Sequence, residues 1–173
     1  MKNFTKNLSL FLLFLTISIH AQNDSELLKW LSAQPDIEVK SIKADRIFTE
    51  AYEIFFTQPI DHNNPDGPKF KQQIFLSHID ADKPMVIEMD GYAVNNRTTE
   101  LSRILNCNQL MVEHRYFGES VPDPFDWKNL TIEQAANDHH RIIELFKKFY
   151  TDNWISTGIS KGGSCVIFHK YFF

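Results

Sequence analysis

Asn153-Trp154-Ile155-Ser156-Thr157-Gly158-Ile159-Ser160-Lys161-Gly162-Gly163 decides how the rest of this chain is read. A strand-like run, 153–157, meets the pattern G-x-S-x-G, and residues 162–171 then have the composition of a helix. A serine on a sharp strand-to-helix turn projects its hydroxyl away from the sheet. Small flanking residues are required because a side chain there would strike the neighbouring strand. The stretch predicts a nucleophile elbow centred on Ser160.

Outward from the elbow, the upstream sequence supplies the sheet that such a turn needs. Met85–Met89 and 109–113 are short apolar runs, as expected of strands buried on both faces of a parallel sheet. Residues 98–105 and 131–150 read as helices. The second opens on Thr131-Ile-Glu-Gln134, a capping box, and carries Ile132, Ala135, Ala136, Ile142, Ile143, Leu145 and Phe146 towards a core. Further back, residues 50–57 and 69–79 read as two strands of a hairpin, joined by the turn-rich Pro59-Ile-Asp-His-Asn-Asn-Pro-Asp-Gly67. Residues 24–33 read as a short amphipathic helix capped by Asp24 or Ser25. A hairpin followed by alternating strands and helices predicts an α/β fold, with 22–173 as one domain.

The N-terminus has lysines at 2 and 6, the apolar run Leu8–Ile19 and then His20-Ala21-Gln22. A basic start, an apolar core of about a dozen residues and a small residue before a polar one read as a signal peptide over residues 1–21. The run is short for a membrane span of about 20 residues, so the mature chain is expected to be exported to the periplasm or beyond, without stable membrane insertion. Removing residues 1–21 takes two of the 18 basic residues and none of the 22 acidic ones, moving the net charge from −4 to −6. An anionic chain lacks the basic face that nucleic acid requires. Cys107 and Cys165 do not amount to a disulfide framework.

The elbow also predicts where negative charge would be stabilised. The Lys161 N–H opens the following helix and would be one oxyanion donor. The loop Asp90-Gly91-Tyr92 after the 85–89 strand would give the second, with Gly91 allowing close approach and the Tyr92 N–H donating. The Lys161 side chain is not read as a base, because adjacent residues at a helix start point in different directions. His114 precedes the serine on another strand and is not read as a base either. His139 and His140 lie within a helix and read as one core-edge and one solvated ring. Acyl transfer at serine calls for no cofactor and no metal.

Four stretches, Phe56-Thr-Gln-Pro-Ile-Asp-His62, Glu113-His-Arg-Tyr-Phe-Gly-Glu-Ser120, Leu130-Thr-Ile-Glu-Gln-Ala-Ala-Asn-Asp138 and Trp154–Gly163, resemble the bacterial secreted prolyl tri- and tetrapeptidyl aminopeptidases, serine peptidases related to the Pro-X carboxypeptidases. The resemblance runs from about residue 45 to 173. It implies an α/β-hydrolase core with an inserted helical cap, a peptide substrate, and Ser160 as nucleophile. It also gives Glu113-His114-Arg115, at the end of a buried strand, two open readings. Either Glu113 binds a substrate amine with Arg115 supporting the site by an ion pair, or the three close the strand end as a structural charge cluster.

A serine nucleophile needs a base and a carboxylate that orients it, and in this fold both follow the serine. Residues 161–173 hold one histidine, His169, and no acid. Nine residues along a helix place His169 roughly 13 Å from Ser160. The sequence therefore reads as the N-terminal portion of a serine exopeptidase, truncated after the nucleophile helix, inactive and poorly soluble by itself. A lipase- or esterase-type hydrolase, and an exported binding protein that keeps the elbow only as scaffold, are the alternatives.

Overall fold

The computed structural model describes residues 24–173; the signal-peptide reading of residues 1–21 lies outside the described residues. Helix α1 (Glu26–Ser32) starts at Ser25, whose hydroxyl accepts from the Leu28 N–H at 3.1 Å and donates to Glu50 at 2.7 Å. It buries Leu27 and Leu31. Strands β1 (Ile37–Ile42), β2 (Glu50–Pro59) and β3 (Lys69–His78) form an antiparallel meander, with Ile37 opposite Phe56 and Glu50 opposite His78. β4 (Met85–Met89), α2 (Glu100–Leu105), β5 (Asn108–Val112), α3 (Ile132–Phe146), β6 (Trp154–Thr157) and α4 (Lys161–Phe172) follow.

The sheet order is β1-β2-β3-β5-β4-β6, and its pairing changes partway across. β3 runs antiparallel to β5, while β4 is parallel to both β5 and β6. The connection from β4 to β5 steps one way along the sheet and that from β5 to β6 steps back past β4. Right-handed crossovers in opposite directions place α2 and α3 on opposite faces. Side chains agree. Met85, Ile87, Met89, Leu110 and Val112 join the core formed with α1 and α3. On the other face Gln109 accepts from the Thr99 N–H at 2.8 Å and the Ser102 hydroxyl at 2.6 Å, beside α2.

The hairpin, the two parallel runs and both long helices appear where the sequence places them, with two differences. β1 has no counterpart in the sequence reading, because the adjacent polar pair Lys40-Ser41 breaks the alternation of Ile-Glu-Val-Lys-Ser-Ile. Helix α3 ends at Phe146 rather than Tyr150, since the chain turns there and buries Tyr150 with its hydroxyl 3.0 Å from His78 Nδ1. β6 pairs only with β4 among the described residues, and Ile155 and Ile159 beside its other edge are exposed. No helix among the described residues is long and apolar enough to cross a membrane.

Candidate active site

Ser160 sits between β6 and α4 with φ 55° and ψ −118°. A non-glycine residue at positive φ costs of order 1–3 kcal/mol, and its neighbours must impose it. Here the constraint is contact between backbones. A Cβ on Gly162 would collide with the Met89 carbonyl oxygen of β4, so the first turn of α4 lies directly against the neighbouring strand. Ser160 occupies the N-cap position of α4, yet its hydroxyl caps nothing and is solvent-exposed. The Oγ makes no hydrogen bond to any described residue.

The loop after β4 comes to the same place. A Cβ on Gly91 would lie 2.5 Å from Lys161 Cβ and 2.8 Å from Gly162 N. The Lys161 N–H, first of its helix, and the Tyr92 N–H both lack an acceptor among the described residues. The structure thus brings Ser160, Lys161, Gly91 and Tyr92 together, with two open backbone donors. The Lys161 side chain packs over two aromatic rings. Its ammonium stands 5.1 Å from the Tyr92 ring centroid and 4.4 Å from that of Phe117, which meet edge to face. Burial pushes the ammonium's pKa down, and no carboxylate lies within ion-pair distance among the described residues.

Glu113 and Arg115 are both in the interior. Glu113 is 1% exposed. Its Oε1 accepts from the Val94 N–H at 3.0 Å, and its Oε2 from the N–H groups of Glu119 and Ser120 at 2.9 Å and the Ser120 hydroxyl at 2.7 Å. Both oxygens are spent on the chain itself, as the structural charge-cluster reading expects. Glu113 instead ties the 113–120 loop to the segment that follows Tyr92.

Arg115 does form an ion pair, with Asp138 of α3. Nε lies 2.6 Å from Oδ2 and Nη2 2.8 Å from Oδ1, while the remaining donors reach the carbonyls of Pro59, Ile60 and Asn129. His62 Nε2 stands 2.7 Å from the same Oδ1. Burial works to raise the Asp138 carboxyl, but the Arg115 charge and the hydrogen bonds from Arg115 and His62 outweigh it and hold the group below its ordinary value. Pairing of this kind keeps a buried charge tolerable.

The structure gives three ionisable groups surroundings that the sequence does not show. Asp90, just before Gly91, has its Oδ2 buried without a partner, and burial pushes its carboxyl up to about 6. His114 is buried at the end of β5, its Nδ1 2.8 Å from the Arg115 carbonyl, and burial lowers its pKa. His139, read as a core-edge or solvated ring, is fully buried with neither nitrogen bonded, and burial lowers its pKa to about 3. Nothing in the local sequence marks any of these, because burial is set by distant elements. His169 lies at the far end of α4, its ring centroid 5.9 Å from that of His140 and 5.6 Å from that of Phe173. Among the described residues no cluster of three His, Cys, Asp or Glu is arranged to hold a metal, and both cysteines are free.

Known proteins resemble this chain in fold and in sequence. The solved acetyl xylan esterase 1 of a Thermoanaerobacterium species superposes with a TM-score of 0.54 at 17% identity, covering 82% of this chain and 51% of that one, and shares the α/β-hydrolase type of fold. The prolyl tri/tetrapeptidyl aminopeptidase of Streptomyces mobaraensis is 42% identical over 120 residues, 68% of this chain and 25% of the relative. A probable serine protease of Arabidopsis thaliana, EDA2, is 27% identical over 138 residues, 72% of this chain and 27% of the relative. The chain thus spans about a quarter of the length of these two curated relatives. The profile of the PS-10 peptidase S37 family matches residues 25–173, covering the hairpin, the Arg115–Asp138 pair and the strained serine alike, and the chain belongs to that family.

Proposed function

We propose that Ser160 is the nucleophile of an exported serine exopeptidase that releases short, proline-containing peptides from peptide N-termini. The observation that carries this reading is the backbone of Ser160: positive φ at an exposed residue whose hydroxyl is unbonded, with Gly91 packed against the first turn of α4 and the Lys161 and Tyr92 N–H groups without acceptors. In the proposed chemistry Oγ attacks the scissile carbonyl carbon, and the N–H groups of Lys161 and Tyr92 receive the negative charge that develops on its oxygen. The peptide class is supported by the Streptomyces relative, and export by the sequence of residues 1–21.

No described residue is hydrogen-bonded to Ser160 Oγ to take its proton, and His169 packs with His140 and Phe173 at the far end of α4. Residues 22–173 by themselves are therefore proposed to be inactive as a peptidase. The test is expression of residues 22–173 with a tripeptide anilide and a fluorophosphonate probe. The expected result is no anilide turnover and slow labelling confined to Ser160. Turnover that Ser160→Ala abolishes would overturn the inactivity, and labelling that survives Ser160→Ala would overturn the assignment of the nucleophile. N-terminal sequencing of the secreted protein, with Gln22 expected first, tests export.

A further inference from the structure

The two helices that start on the Ser160 side of the sheet enclose a cavity of 290 Å³ that the proposed acyl-transfer step leaves unused. α4 follows β6 directly and α3 follows β5 through the 113–131 loop, so both helices begin at the C-terminal ends of parallel strands, where ligands bind in such sheets. Ile132, Ala135 and Ala136 of α3 form one wall and Cys165 and Phe168 of α4 the other. Lys161, next to the nucleophile, lines the cavity as well. Small residues at 135 and 136 leave the space open, and no carboxylate lines it. Whole small-molecule pockets run from about 300 to 1,000 Å³, so this one suits a single side chain or ring.

One polar ring completes the lining. His114 is 5% exposed, and its Nδ1 faces the Arg115 carbonyl at 2.8 Å. A carbonyl only accepts, so Nδ1 carries the hydrogen and Nε2 holds a lone pair. That nitrogen makes no hydrogen bond to any described residue. The cavity therefore combines mostly apolar walls with one unpaired ring nitrogen, beside Thr131, Lys161 and Ser164, a pattern that suits an apolar group attached to an N–H donor.

We infer that this cavity is a substrate subsite: it takes an apolar side chain beside the attacked carbonyl, and His114 Nε2 accepts an amide N–H of the same peptide. The inference rests on the reading of Ser160 as nucleophile. Cys165 supplies a reporter within the wall, and the fully buried Cys107 an internal control.

The test measures methanethiosulfonate modification of Cys165, and amide shifts at Ala135 and Ala136, in the presence of phenylacetamide or its donor-free analogue phenylacetone. Phenylacetamide is expected to protect Cys165 and to bind about tenfold more tightly than the ketone, the worth of one hydrogen bond to an unpaired acceptor in a mostly apolar cavity. His114→Phe is expected to make the two ligands equal, and Ala136→Leu to remove both effects. Equal binding of amide and ketone by the unmodified chain, or no protection with either, overturns the proposal whatever the variants do. Phenylacetamide should also slow fluorophosphonate labelling of Ser160; binding that leaves labelling unchanged overturns the subsite. Absence of labelling would instead overturn the nucleophile, and the amide–ketone comparison would then still decide the binding site.

Discussion

Arg115 and Asp138, 23 residues apart in sequence, meet in the interior with contacts of 2.6 and 2.8 Å and essentially no exposure. The pair joins the end of β2, the segment around Asn129 and α3. Truncating one partner leaves a buried charge without compensation, which typically costs about 3–5 kcal/mol. Arg115→Met and Asp138→Leu are each expected to lower stability by that order in urea titrations. The double variant should recover part of the loss, because neither charge is then stranded.

Close packing at the elbow leads to a second expectation. Gly162→Ala places a methyl against the Met89 carbonyl, where only backbone can give way. Overpacking of this kind typically costs about 1–3 kcal/mol, and a lower midpoint for thermal unfolding checks it. Ser160→Gly should act in the opposite sense. Glycine adopts positive φ freely, so this variant is expected to gain about 1 kcal/mol while losing fluorophosphonate labelling.

His139 makes stability depend on acidity. Burial holds its folded pKa at about 3 against an ordinary 6.5, so the ring stays neutral in the folded chain while the unfolded chain takes up a proton. This contribution is complete above pH 6.5 and is lost as pH falls towards about 3. The slope is about 1.4 kcal/mol per pH unit. Asp138, His114, His169 and Arg115 are the charged or titratable neighbours that bear on it. His139→Leu should remove one proton from the slope of unfolding free energy against pH over that interval.

Asp90 acts in the other direction. Its carboxyl is raised to about 6 by burial, so between its ordinary value of 3.8 and about 6 the folded chain holds a proton that the unfolded chain has lost. Stability from this group falls as pH rises through that window. Asp90→Asn is expected to be more stable than the parent at pH 7 and to match it near pH 4, as differential scanning calorimetry at the two values would show.

The elbow, β4, β5 and the long helix α3 are legible in the sequence because each is fixed by its own pattern. The strand-to-helix glycines, two apolar runs and a 3.6-residue stripe behind Thr131 need no distant information. The capping box is only half realised. Thr131 caps the Gln134 N–H at 3.2 Å, but the Gln134 side chain reaches Asp61 and the His62 N–H instead of returning to the helix start. Three of the motifs that carry the family resemblance, around Pro59–His62, Glu113–Ser120 and Leu130–Asp138, turn out to be one hydrogen-bonded knot. Their spacing along the chain does not show this, since Arg115 reaches Ile60, Asn129 and Asp138 from one strand end. Glu113 stays open between two readings in the sequence for the same reason: most of its partners are backbone amides, and a sequence carries no mark of where amides point.

The pairing of β6 has a consequence for the order of assembly. Strands β2 and β3 close a short hairpin, whereas β6 must return to β4 across α2, β5 and α3, with Met85 opposite Trp154. Closing that long loop costs more chain entropy and comes later than local pairing. The strained backbone of Ser160 has nothing to hold it until β4 and β6 are side by side. A nascent chain therefore presents an ordinary, relaxed serine at position 160, and the conformation that exposes its hydroxyl is among the last things folding creates.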